Sequence, residues 1–167
     1  MKQLHLLLFF VLSIYCANAK TSTFVISKYN EYCIAYTLQK NETLASLALS
    51  FNVPVNKLYA FNGMQARSVA KIGQTIYIPL VENNYIKDVN YSVGENDIEL
   101  KYHLNENEFL ATVCNKLNTK KENVLALNPT YQSNMKEADL TIGWVKYISN
   151  ESRNNKVVFE TKKEVFK

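Results

Sequence analysis

The chain has 167 residues, 47% of them hydrophobic and 20% charged, with a formal net charge of +4 at pH 7. That balance belongs to a folded protein and argues against a globally disordered chain. So small a positive charge, with no dense basic run, also argues against nucleic acid as the partner.

The N-terminus reads as a leader. Lys2 precedes the apolar run 4–16, LHLLLFFVLSIYC, and Ala17-Asn18-Ala19 places small residues at a signal-peptidase spacing. The run is shorter than the ~20 residues a membrane span needs. Residues 1–19 are therefore expected to be a cleaved signal peptide. The remainder would be exported (periplasmic, cell-wall-associated or secreted), with no stable membrane span. Cleavage leaves Cys33 and Cys114 in a compartment where disulfides persist. Cys114 lies on the apolar face of an expected helix and reads as a small buried hydrophobe. Its pairing with Cys33 is left open, because connectivity does not follow from sequence.

Residues 20–33 form a lead-in whose Phe24, Val25 and Ile26 can make an extra strand, with Cys33 just before the first strand of the next unit. That unit, residues 34–80, is the most strongly patterned part of the chain. Tyr36 and Leu38 alternate as in a strand and lead into the polar turn Lys40-Asn41-Glu42. Leu44, Leu47, Ala48 and Phe51 then recur at helical spacing. Asn52 and Val53 end this helix, because Pro54 disfavours a helical residue before it. Val55, Leu58, Tyr59 and Phe61 make a second short helix, stopped at Asn62-Gly63. A polar loop reaches Gly73 and a closing strand, Thr75 to Ile78, which Pro79 terminates.

Residues 81–100 read as a polar connector that could lie across a core but not form its own. A second unit, 101–149, repeats the first. Shifting by 66 positions matches Tyr36 with Tyr102, Leu38 with Leu104, Asn41 with Asn107, Glu42 with Glu108, Leu44 with Leu110 and Asn62 with Asn128. Beyond Asn128 an offset of 70 matches Gly73 with Gly143, Tyr77 with Tyr147 and Ile78 with Ile148, which implies a loop four residues longer in the second unit. Residues 150–167 read as a polar tail.

The Y-x-L strand, N-E-T-L-A-S-L-A, F-N-V-P-V, the N-G turn and I-G-Q-T-I-Y-I-P of the first unit resemble the LysM domain family. The second unit resembles a diverged copy, with Phe109 in place of Thr43. The resemblance departs at Asn41-Glu42-Thr43, where the family has Gly-Asp-Thr; Asn41 tolerates the left-handed conformation that the glycine would supply. It implies an α+β fold of two small βααβ units, each a two-stranded antiparallel sheet with two helices on one face. It also implies non-catalytic binding of N-acetylglucosamine-containing glycan, with peptidoglycan of a bacterial envelope the first choice and chitin the other. Carried over by position, the first groove would be Asn41, Glu42, Thr43 and Leu44 facing Asn62, Gly63, Met64 and Gln65. The second would be Asn107, Glu108, Phe109 and Leu110 opposite Asn128, Pro129, Thr130 and Tyr131. Thr43 also reads as a helix cap, and Asn62-Gly63 as a helix stop.

Catalysis finds no support in the residues. His103 is the one histidine left after cleavage and reads as an exposed strand residue, with no second histidine or CxxC to build a zinc site. A carboxylate pair for glycoside hydrolysis needs two acids flanking a cleft, one with a raised pKa. Glu42, Glu106 and Glu108 instead fall in turns. The reading is a monomeric binding protein, not an enzyme, with no metal or cofactor. The alternative is an envelope scaffold that uses the same fold without binding sugar.

Overall fold

The computed structural model describes residues 21–148. The expected signal peptide and polar tail lie outside them. Within the described residues six strands and four short helices follow in the order β1 (Ser22–Lys28), β2 (Glu31–Thr37), α1 (Leu44–Ser50), α2 (Val55–Phe61), β3 (Thr75–Pro79), β4 (Tyr85–Ile86), β5 (Ile98–Leu104), α3 (Leu110–Lys116), α4 (Lys121–Leu127) and β6 (Ala138–Val145). Two strand–helix–helix–strand runs are visible, β2-α1-α2-β3 and β5-α3-α4-β6. The class is α+β.

Local chemistry explains the boundaries. Thr43 caps α1 with a capping box, its hydroxyl accepting from the Ser46 N–H at 3.0 Å while the Ser46 hydroxyl accepts from the Thr43 N–H at 2.9 Å. Asn52 and its counterpart Asn118 follow the first helix of each run at φ 50. Gly63 takes φ 64 after α2. Asn41 sits at φ 68, as its role of glycine substitute requires, whereas Asn107 has no positive φ.

The two runs do not have separate sheets. One six-stranded sheet runs β3-β2-β1-β5-β6-β4. Its joint is β1, in the lead-in. Ser22 to Phe24 pair parallel with Glu99 to Lys101 of β5, and Val25 to Lys28 pair antiparallel with Ile34 to Glu31 of β2. The β1–β2 hairpin turns at Tyr29-Asn30, both left-handed (φ 53 and 61), the geometry that matches strand twist in a two-residue turn. Cys33 therefore lies within β2 rather than before it, fully buried. Burial pushes its thiol up to about 12, and neither it nor Cys114 is in a disulfide.

Helices cover one face. Val25, Ile34, Tyr36, Ile76, Ile78, Leu100, Tyr102, Leu104, Leu140 and Ile142 point into a core shared with Leu47, Leu58, Leu110, Val113 and Val124. Further contacts tie the halves together. Tyr32 meets Tyr102 edge-on at 5.9 Å. Residues after β6 return to the first run, where the Tyr147 ring packs on Phe51 at 5.1 Å and the Ile148 N–H donates to the Ser50 carbonyl at 2.8 Å. The connector lies across the core: Asn84 and Tyr85 are buried, and β4 pairs with β6.

The end of the second run corrects the sequence alignment. Tyr36 pairs with Ile76, and Tyr102 pairs with Leu140. Leu140 is thus the counterpart of Ile76, so the second loop is shorter rather than longer, and Tyr147 and Ile148 lie beyond the strand. Gly143 matches Gly73 in letter only. It sits at a bulge, where the partners shift from Gly143 opposite Leu100 to Thr141 opposite Lys101.

Candidate functional site

In each run the turn between first strand and first helix is fixed by the same pair. The Tyr36 hydroxyl donates to the Glu42 carboxylate at 2.8 Å, and the Gln39 N–H donates to it at 2.9 Å. The Tyr102 hydroxyl donates to Glu108 at 2.9 Å, and Asn105 adds its side-chain amide at 2.9 Å and its backbone N–H at 3.2 Å. Burial first, and the neighbouring carboxylate as well, push both phenols up, so they remain donors.

The loop after the second helix is also fixed twice. Asn62 accepts from the Tyr77 N–H at 2.8 Å and donates to its carbonyl at 2.9 Å. Asn128 does the same to Thr141 at 2.8 and 2.7 Å. Both amides also donate to the preceding helix, at Leu58 and Val124. These side chains cap the outer edge of a strand, so Glu42, Glu108, Asn62 and Asn128 shape the loops while their own polar atoms are occupied.

Glu108 is held below its ordinary 4.5: burial would raise it, but hydrogen bonds from Asn105 and Tyr102, with the charge of Lys116, outweigh burial. A folded value below the unfolded one contributes stability above the ordinary value, lost as the pH falls through the folded value. Glu108→Gln is expected to flatten the acid limb of the stability profile, read as denaturant midpoints from about pH 6 to about pH 3. An unchanged acid limb would contradict this role.

A groove of about 340 Å³ opens between these loops in the second run. Glu106, Glu108, Phe109, Leu110 and Ala111 line one side; Lys121, Leu125, Tyr131, Ser133 and Met135 line the other. Phe109 is 78% exposed, and Met135 and Leu125 are also open to solvent. Of the anticipated residues, Glu108, Phe109, Leu110 and Tyr131 meet there, while Asn107, Asn128, Pro129 and Thr130 do not line it. Lys121, Leu125 and Met135 were not anticipated; Lys121 and Leu125 stand four apart on α4, one helical face, which was the available signal. In the first run, Thr43 and Leu44 start α1, with Leu44 buried. Gly63 has open space where a Cβ would stand, Met64 packs partly buried against the core, and Gln65 is exposed. His103 is half-buried on β5, its Nδ1 2.6 Å from Asp139 across the strand pair, away from the groove.

The family model for the LysM domain matches residues 36–79, the span from the end of β2 to the end of β3. Residues 36–79 are a LysM domain. LysM domains are binding modules, found in extracellular or cell-envelope proteins, that generally bind N-acetylglucosamine-containing glycans such as peptidoglycan or chitin. No curated protein matches the chain. Among solved structures, the spore cortex-lytic enzyme SleL of Bacillus megaterium QM B1551 is 18% identical over 74% of this chain and 24% of its own, with a TM-score of 0.30. The ectodomain of a receptor-like kinase is 16% identical over 74% of this chain and 61% of its own, with a TM-score of 0.24. The chain thus spans about a quarter of the first and less than two thirds of the second. Among the described residues no helix is long and apolar enough to cross a membrane.

Proposed function

We propose that this protein is an exported, monomeric, non-catalytic binder of N-acetylglucosamine-containing glycan, with peptidoglycan of a bacterial envelope as its target. Residues 98–145 act as a second, diverged LysM unit. The observation that carries the reading is the open groove beside Phe109. Apolar residues (Phe109, Leu110, Ala111, Leu125 and Met135) and polar ones from two loop ends line it together, which suits a sugar ring and its N-acetyl group. Side chains that fix the loops are spent internally, so recognition falls to main-chain groups, Phe109, Tyr131 and the corresponding edge of the first unit.

Both units belong to one sheet, so any gain from engaging two sites on one polymer depends on a fixed spacing rather than on linker length. Co-sedimentation with insoluble peptidoglycan and chitin, against cellulose, tests the reading. Retention on N-acetylated polymers alone is expected. Phe109→Ala should weaken it by about 1–2 kcal/mol, the scale of an exposed aromatic anchor. A folded protein that binds none of the three polymers would exclude glycan binding and favour a scaffold role.

A further inference from the structure

The second unit's groove contains a charge that its neighbours leave unmatched. Glu106, Glu108 and Lys121 are its charged lining residues. Glu106 is 3.2 Å from Lys136. Glu108 points inward to Tyr102 and Asn105, with Lys116 adding its field. Lys121 has no ion-pair partner among the described residues, and Glu122, its chain neighbour, does not line the groove. Each acid therefore has its own compensation and Lys121 is in surplus. It is exposed at the start of α4, one turn before Leu125. Its stem can lie along the apolar strip while the ammonium reaches past the sugar ring. In the first unit the corresponding position is Val55, so the charge is particular to the second.

We propose that Lys121 is a specificity-determining residue that pairs with a carboxylate on the glycan, so that the second groove prefers a peptidoglycan glycan whose lactyl carboxylates are free of peptide to a neutral N-acetylated chain. This rests on the glycan-binding reading above. A flexible point charge suits a carboxylate carried on a rotatable ether arm, where a planar guanidinium would demand fixed geometry.

The test is a titration of the isotopically labelled protein, followed at the amides of Leu110 and Tyr131. Three oligomers of equal length are compared: a peptidoglycan glycan with free lactyl carboxylates, the same glycan amidated, and neutral chitin. The free acid should bind about three- to fivefold tighter than its amide at low salt, as a solvent-accessible ion pair gives, and the difference should shrink with added salt. In K121Q, whose exposed position leaves the fold intact, acid and amide should bind alike. Equal binding of acid and amide by the unsubstituted protein would overturn the role of Lys121 and leave glycan binding standing. A preference that survives in K121Q would overturn it too. No shift with any oligomer would overturn both proposals.

Discussion

Val25→Pro is expected to loosen both halves of the molecule together. Val25 is buried on β1 where the strand passes from its β5 partners to its β2 partners. Proline there fixes φ and removes an N–H at the point where the two sets of pairings meet, Phe24 being the last residue paired with β5 and Val25 the first paired with β2. The site is buried, so the disruption is not relieved by solvent, and the cost is roughly 3 kcal/mol. If the sheet is one cooperative body, denaturation should remain a single transition at a lower midpoint. Amide protection on β3 and β6, at opposite ends of the sheet, should fall in parallel. Two transitions, or loss of protection confined to one half, would show that the units fold separately.

Gly143→Ala should be the most damaging conservative change in the second half. Gly143 has φ 141, and an added Cβ would stand 2.3 Å from the Ile86 carbonyl oxygen and 2.9 Å from the Tyr85 ring. The Ile86 oxygen is backbone, held by the β4–β6 pairing, and Tyr85 is anchored by its hydroxyl donating to the Ile142 carbonyl at 2.8 Å. Neither can step aside without unpairing β4. Left-handed strain and overpacking together cost roughly 2–4 kcal/mol. Gly73→Ala makes the comparison clean: it meets φ strain (φ 80) but no atom within 4 Å, so it should cost about 1–2 kcal/mol. Equal losses at both positions would show that the contact with β4 contributes nothing.

These contrasts mark where sequence sufficed. Helix limits in the first unit were legible because their causes are local: the Thr43 cap, the turn at Asn52, Pro54 and the Asn62-Gly63 stop each act within a few residues. The role of β1 was not. Phe24, Val25 and Ile26 announce a strand, but nothing local names a partner as distant as Glu99–Lys101. The closing strand of the second unit was misplaced because letter matches at Ile-Gly and Tyr-x outweighed the alternation of Leu140 and Ile142, which fixes register through burial. At the site, Phe109 could be read as stacking or as packing from sequence alone, and its exposure decides for the open form. Lys121 carried no signal beyond its spacing from Leu125, since one lysine on a helix is ordinarily a solvated surface residue.

The consequence for function is geometric. With β1 shared, the connector latched to both halves and Tyr147 seated on Phe51, the two loop ends are parts of one body. A bound polymer would meet that spacing without an entropic cost for ordering a linker.

The most direct measurement is an amide chemical-shift map of the protein titrated with a soluble N-acetylglucosamine oligomer. Glycan binding at the two loop ends predicts the largest shifts at Glu108 to Ala111 and Tyr131 to Met135, with a second set at Asn41 to Leu44 and Gly63 to Gln65. Saturating oligomer that moves none of these amides, or moves instead those of Phe24, Ala35 and Tyr77 on the opposite sheet face, would contradict it.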